Sequence, residues 1–501
     1  LPQLLRVALL ALAPCCGLGI SLAHGPAFID DAYITFRYAH NLAHGAGLVW
    51  NPGEALLGTT SPLMAAGLAL AERAGVPILI AARGFGILGA VGALFAVQML
   101  ALERLGLAAA VSVGLGVVLQ PDWAFCANSG METALSMCAV YTALWLALRN
   151  RARSAGLCVA VACLLRPDGM LLAAVGGARF WLNDRRNAAR FGVYLVLGAL
   201  PWVLYALHAY GTALPHSVEA KRLIHADLPA HIAFVSLRRM TRGVEMSAVV
   251  SLAALGAVLA ARSRSDLVWV LLWFALQFTG LCAAGIAPLF PWYVSPLFPA
   301  LFLFANLAVF ALCRRATWRR RPEWWAVALM LALYTVGQAQ RGSWQRATYQ
   351  AAFGDRVDEY LRIAANLRAR VRPGDSVLVG EAGALGFALP EQIILDSSGI
   401  NSRELYLLRA SDAAAQAARG VTPDAEGSPD WVRAALERFQ PRFVVSYLPW
   451  LHMNELVHDP QVMRDYARLW PPVPSRYVVL ERRVQPGVPL QPPAAAVLST
   501  E

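Results

Sequence analysis

The sequence predicts a polytopic α-helical membrane protein of about eleven transmembrane helices, followed by a small C-terminal α/β domain. Three observations carry that prediction. Hydrophobic residues make up 57% of the 501 positions and charged residues only 15%, well below the roughly 25% of an ordinary soluble chain. Apolar runs of spanning length recur up to about residue 340, separated by short segments that carry arginine. Beyond that point the runs stop, polar residues increase, and short β-rich stretches alternate with helical ones. The net charge of +11 lies largely in those short arginine clusters, which is the pattern of cytoplasmic loops and not of a nucleic-acid-binding face. Nucleic acid is therefore not an expected partner.

The elements follow in order. "LPQLLRVALLALAPCCGLGISLAH" resembles a signal peptide but has no convincing cleavage site, so residues 3–23 are read as a retained first span. With Arg6 inside, residues 25–77 form the first outer loop, in which "TSPLMAAGLALAERAG" is an interfacial or re-entrant helix. Spans follow at about 78–101, 107–121 and 131–148. The next apolar run is broken by Arg166, Pro167 and Asp168 into two spans whose break faces outward. Further spans at 191–209, 246–261, 267–286, 294–312 and 324–339 leave everything after them outside. Arg238, Arg239 and Arg242, in the outer 211–245 loop, are the exception to the positive-inside pattern and suit a surface helix at lipid headgroups.

The expected domains are thus a membrane domain over 1–340 and an extracytoplasmic α/β domain over 341–501. In the latter, "DSVLVGEAGALGFALPEQIILDSSGI" reads as strand, glycine turn and strand, with further strands in "RFVVSYLPW" and "SRYVVLERRV". About 150 residues suffice for one such domain. The eight cysteines lie mostly in apolar runs without metal-ligand spacing and read as small core residues.

Candidate chemistry gathers in the outer loops. The first begins "FIDDAYITFRYAHNLAHGAGLVWNPGE", with adjacent carboxylates Asp30 and Asp31 at a membrane exit, where acids are costly and usually functional. On a helix, Asp30, Tyr33, Arg37 and Asn41 share one face, offering a base and an anion clamp to one cleft. The plainer alternative is that Asp30 caps the helix and Arg37 pairs with a carboxylate. Lys221 is the only lysine; facing an outer cleft it suits a phosphate, and otherwise it reaches lipid headgroups. Glu132, in "SGMET", is a substrate-side acid or a charge at a helix start. Arg166 and Asp168 form an internal ion pair or present a cation outward. Trp292 and Tyr293 suit sugar stacking or an interfacial aromatic belt. His40 and His44, four apart, keep a metal site open, but no zinc-hydrolase pattern, Walker loop, dinucleotide fingerprint or nucleophile elbow is present.

"DDAYITFRYAHNLAHGAGLVWNPGE", then "GTTSPL", "SGMET", "LLRPDG", "YGTALPHSVEAK" and "EAGALGF...ILDSSGI", together resemble the membrane glycosyltransferases of the GT-C class. The likeness covers most of the chain and is greatest to AftB-type terminal arabinofuranosyltransferases and related bacterial enzymes that glycosylate pilin. It implies a polyprenyl-phosphate sugar donor, decaprenyl-phosphoryl arabinofuranose or a similar pentose, used at the outer face of a bacterial inner (plasma) membrane. It implies a catalytic acid at Asp30 with Asp31 beside it, and donor-phosphate binding by Lys221 and Arg37. Tyr33, Asn41, Glu132, Arg166, His216, Trp292, Tyr293 and Glu381 are the wider substrate-binding candidates. The chain has "LLGTTS" and His216 where relatives commonly have "VEGYTS" and asparagine, so the sugar is the least determined feature.

Sugar transfer needs a carboxylate for the acceptor proton or the oxocarbenium-like centre, and a cation for the leaving phosphate. A divalent cation held by Asp30 and Asp31 is an alternative to a metal-free site. Expected partners are the lipid-linked donor, membrane lipid and a glycan or protein acceptor. Transfer of mannose or another hexose is the nearest alternative. A lipid-linked-sugar flippase or transporter is less favoured, because the polar groups lie in outer loops and the two halves are unlike.

Overall fold

The computed structural model describes residues 2–224, 243–283, 290–315, 322–420, 427–470 and 476–483, with single positions 235, 238 and 241. Arg239, Arg242 and residues 316–321 of the densest basic cluster lie outside the described residues. The chain divides into two compact units, one of Leu1–Ile29, Thr60–His208 and Pro229–Asp355, the other of Asp30–Thr59, Ala209–Leu228 and Arg356–Glu501.

The first unit is helical. Gln3–His24, Ile78–Leu105, Arg185–Tyr210, Glu245–Arg262 and Pro291–Arg314 are long and apolar enough to cross a membrane. Leu107–Val118 and Pro121–Asn128 make a sixth if they count as one span bent by 67°. The bend falls at Pro121, whose ring cannot continue the preceding helix but suits the first turn of the next. Length and composition therefore qualify five or six crossings among the described residues, where eleven were expected. The shortfall has a plain cause. Thr133–Leu148 and Ala152–Leu165 are apolar but only 16 and 14 residues long, less than the roughly 20 that a 30 Å hydrocarbon core requires, while Val268–Ala283 ends at the edge of the described residues and Glu323–Gly337 is the apolar part of the 28-residue helix Pro322–Tyr349.

The short helix expected at "TSPLMAAGLALAERAG" forms as Pro62–Arg73. The expected break forms too: Arg166 is extended (φ −152°, ψ 136°) between Ala152–Leu165 and Gly169–Asn183, as Pro167 demands of the residue before it. Helices in this unit approach closely where they carry glycine. A Cβ on Gly89 would fall 2.5 Å from the backbone nitrogen of Leu135, the small-residue packing by which membrane helices gain dispersion contacts.

The second unit is α/β. Its sheet has strands β1 (Ser376–Val379), β2 (Ile393–Asp396), β3 (Phe443–Tyr447), β4 (Tyr466–Trp470) and β5 (Tyr477–Arg482) in the order β2-β1-β3-β5-β4. β1 pairs parallel with β2 and β3, while β5 runs antiparallel to β3 and β4. Both faces of the parallel part are buried, which is why "SVLV" and "FVVS" read as continuous apolar runs. Leu378, Val444, Val478 and Leu480 join a core with Trp431, Leu436, Leu451, Met453 and Leu456. The other face brings Tyr477 of β5 against Tyr360 of helix Asp355–Leu367, with ring centroids 5.3 Å apart.

Candidate active site

The second unit holds Asp30, Asp31, Tyr33, Arg37, Asn41, His216, Lys221 and Glu381. Helix Asp30–Ala43 starts with the two acids and buries Tyr33, Phe36, Arg37, Tyr38 and Asn41. The expected common face of Asp30, Tyr33, Arg37 and Asn41 exists, but it points into the fold.

Asp30 is half-buried, and both its oxygens are hydrogen-bonded: Gly383 N–H donates to Oδ2 at 2.9 Å and Ala384 N–H to Oδ1 at 2.7 Å. These donors open the short helix Gly383–Ala388 that follows β1, and a Cβ on Gly383 would collide with the Asp30 carbonyl. Burial pushes the Asp30 carboxyl up to about 6, although the two N–H donors pull the other way. Asp31 is the more accessible acid, with 35% of its side chain exposed, and its Oδ2 lies 3.6 Å from Lys221 Nζ. Lys221 comes from helix Ser217–Ile224. The structure thus brings together Asp30, Asp31 and Lys221.

It adds a pair. Glu381, directly after Gly380 at the end of β1, carries Arg356 on Oε1 at 3.2 Å. The Arg356 guanidinium also lies 5.1 Å from the centroid of the Trp450 ring. Arg356 was not a sequence candidate. The sequence marks it only as a cation at the start of the strongly amphipathic "DRVDEYLRIAANL" helix, with no local sign of its partner.

Arg37 is not a phosphate ligand in this geometry. It is fully buried, and its Nε donates to the Trp50 carbonyl at 2.8 Å. Nη1 donates to the carbonyls of Leu389 (2.9 Å) and Gly386, and Nη2 to the Gln392 carbonyl (2.8 Å) and Asn51 Oδ1 (3.2 Å). A guanidinium has five N–H donors; all are used here, and its face rests 5.0 Å from the Trp50 ring centroid. Asn41 is also structural, donating to the carbonyls of Val49 and Trp50 at 2.9 Å. Tyr33 packs against Phe36 and Phe387 at 5.1 and 5.6 Å. His216 turns its ring edge-on to Tyr406 at 4.8 Å, and burial lowers its pKa.

The carboxylate pair does not fit a preset divalent-cation site. Both Asp30 oxygens face backbone N–H donors, and the neighbouring charge on Asp31 is met by Lys221. A cation site needs oxygens that converge on a shared centre.

The first unit holds the remaining candidates. Glu132, just before helix Thr133–Leu148, lies 3.2 Å from Arg166 Nη1. Arg166 Nε lies 3.1 Å from Asp168 Oδ1, so the internal ion pair forms. Gln277 donates to Asp168 Oδ2 at 2.6 Å. Arg166 stands 5.3 Å from the centroid of the Tyr293 ring. Trp292 is buried and stacked on Phe290 at 4.6 Å with 7° between planes, which occupies one face that a sugar would need.

The chain thus combines an α/β unit that carries an acid–cation cluster with a helical, membrane-like unit, and its fold is GT-C-like by its likeness to solved structures. The comparisons are with particular proteins. The chain resembles the crystal structure of ArnT from Cupriavidus metallidurans bound to undecaprenyl phosphate, with a TM-score of 0.60 and 14% identity over 96% of this chain and 98% of that one. It also resembles the Archaeoglobus fulgidus oligosaccharyltransferase tethered to an acceptor peptide, with a TM-score of 0.58 and 12% identity over 93% of this chain and 72% of that one. These neighbours are GT-C glycosyltransferases, and at such identity the likeness shows the fold alone. No protein-family model matches the sequence, and no curated protein matches it.

Proposed function

We propose that the protein is a glycosyltransferase of the bacterial inner membrane that moves a pentose, D-arabinofuranose, from a polyprenyl-phosphate donor to an extracytoplasmic glycan or protein acceptor. The observation that carries this reading is the meeting of Asp30, held by two backbone N–H groups, with the Asp31–Lys221 pair. Undecaprenyl phosphate bound to ArnT and the acceptor peptide tethered to the oligosaccharyltransferase support the substrate classes. The pentose rests on the sequence resemblance.

Asp30 takes the proton of the acceptor hydroxyl as its oxygen bonds to the anomeric carbon. The bond from that carbon to the phosphate oxygen breaks, and polyprenyl phosphate leaves with the electron pair. A carboxyl raised to about 6 by burial is largely ionised at neutral pH yet more basic than an exposed aspartate, as a general base should be. Lys221 exchanges Asp31 for the donor phosphate, and Asp31, released, is the second acid of the site. The unit carrying these groups, with the C-terminal segment, lies on the outer side of the membrane and guides the acceptor.

The test is incubation of membranes with synthetic polyprenyl-phosphoryl arabinofuranose and, in separate arms, with mannose and other hexose analogues. Transfer from the pentose donor that is lost in Asp30→Asn is expected. Transfer from a hexose donor alone would move the assignment to that sugar, and full activity of Asp30→Asn would remove this residue from the mechanism.

A further inference from the structure

Glu381 has no part in the chemistry so far, yet its place in the fold is distinctive. β1 lies between β2 and β3, and the chain leaves β1 toward β2 before returning to β3 on the other side. The carboxyl end of β1 is therefore the switch point of the parallel strands, where open α/β sheets take ligands. Two things emerge there: the Glu381 side chain, and, at the start of helix Gly383–Ala388, the Gly383 and Ala384 N–H groups that hold Asp30.

The two carboxyls differ in how they are satisfied. Each Asp30 oxygen accepts a backbone N–H, which favours its charge. Glu381 has Arg356 on Oε1, but Oε2 is sealed from solvent without a hydrogen-bond partner, although the side chain keeps 17% of its surface exposed. A bare buried oxygen is costly on an anion and far less so on a neutral acid. The groups acting on Glu381 are Asp30 and Asp31 from helix Asp30–Ala43 and Arg356 from helix Asp355–Leu367. Tyr360 of that helix and Tyr477 of β5 lie within its field, Glu359 acts on Tyr477, and Lys221 holds Asp31. Three carboxyls thus meet two cations, and like charges at close quarters do not all ionise.

We propose that Glu381 is a positioning residue that keeps, as a neutral carboxylic acid, the proton the acid cluster retains, so that Asp30 meets the acceptor hydroxyl ionised. The inference rests on the reading of Asp30 as base. Burial first, and then the charge of Asp30, pushes Glu381 well above the usual glutamate range despite Arg356, while Asp30 rises only to about 6. At alkaline pH Glu381 ionises, adds a negative charge beside Asp30 and the leaving phosphate, and lowers the rate.

Two measurements on the full-length protein test this. Infrared difference spectra at neutral pH are expected to show a protonated-carboxyl band that Glu381→Gln loses and the exposed-residue control Glu391→Gln keeps; a band unchanged by Glu381→Gln overturns the proposal. In pH–rate profiles, Glu381→Gln is expected to lose the alkaline fall of the wild type and to retain more activity than Glu381→Ala. An alkaline fall identical to that of the wild type overturns it. Should Glu381→Gln fail to fold, Glu381→Asp takes its place and is expected to displace the alkaline limb, an unmoved limb being the contrary result. If no donor supports transfer, the reading of Asp30 as a base fails, while the infrared spectra still decide the state of Glu381.

Discussion

Asp30 is defined by two opposing effects, burial that disfavours its charge and two N–H donors that favour it. Transfer is expected to rise with pH through about 6, since the base must be ionised, and the midpoint of the acid limb of kcat/KM checks this. Stability moves the other way. The folded value is above the unfolded one, so this group's contribution is complete below 3.8 and lost as pH rises through about 6, a change of about 3 kcal/mol. Asp30→Asn is expected to remove that slope, read as the difference between variant and wild-type melting temperatures across the window. Lys221→Ala is expected to raise the donor KM by roughly tenfold or more, the scale of a lost charged hydrogen bond, with a smaller effect on kcat. Equal KM values would refute the phosphate role. The sequence made Asp30, Asp31 and Lys221 legible through their rarity and position. It did not make Arg356 legible, because nothing local says that a cation opening a helix will reach a glutamate 25 positions on.

The instructive elements are helix Asp30–Ala43 and the "WN" that follows it. Trp50 Nε1 donates to the Ile394 carbonyl at 3.1 Å, and the Asn51 amide both donates to that carbonyl at 3.1 Å and accepts the Ile394 N–H at 3.0 Å. β2 is an edge strand, and Asn51 satisfies its open side as another strand would. Arg37 completes the same join. Periodicity placed Arg37 correctly on the Asp30 face but could not say whether that face met a cleft or a sheet. Arg37→Ala is expected to destabilise this unit by about 3 kcal/mol or more through unpaired carbonyls and a cavity, and Arg37→Lys to recover only part of it. A folded Arg37→Lys enzyme with unchanged donor KM would agree with a structural role, and a selective KM increase would restore the anion clamp. Gly383→Ala is a second test, because its Cβ would meet the Asp30 backbone. A large loss of rate with a small loss of melting temperature is expected.

For the whole molecule, reporter fusions read the threading. Alkaline phosphatase joined after residue 483 is expected to be active, and joined at 149–151 inactive; the reverse pattern would invert the proposed orientation. The sequence by itself determined the membrane class, the break at Arg166–Asp168, the short helix Pro62–Arg73, the strand-rich tail and the acids to test. These are local properties, set by apolar length, proline geometry and residue periodicity. Only the tertiary structure decided that the α/β unit is assembled from three separate stretches of chain. It also decided that Arg37 supports the fold, and that Glu381 and Arg356 stand at the switch point of the sheet. Those features depend on contacts such as Arg37 to Leu389, 352 positions apart. Hydrophobic pattern fixes which face of an element is buried, but the partner across that face is chosen by packing and hydrogen-bond satisfaction over the folded chain.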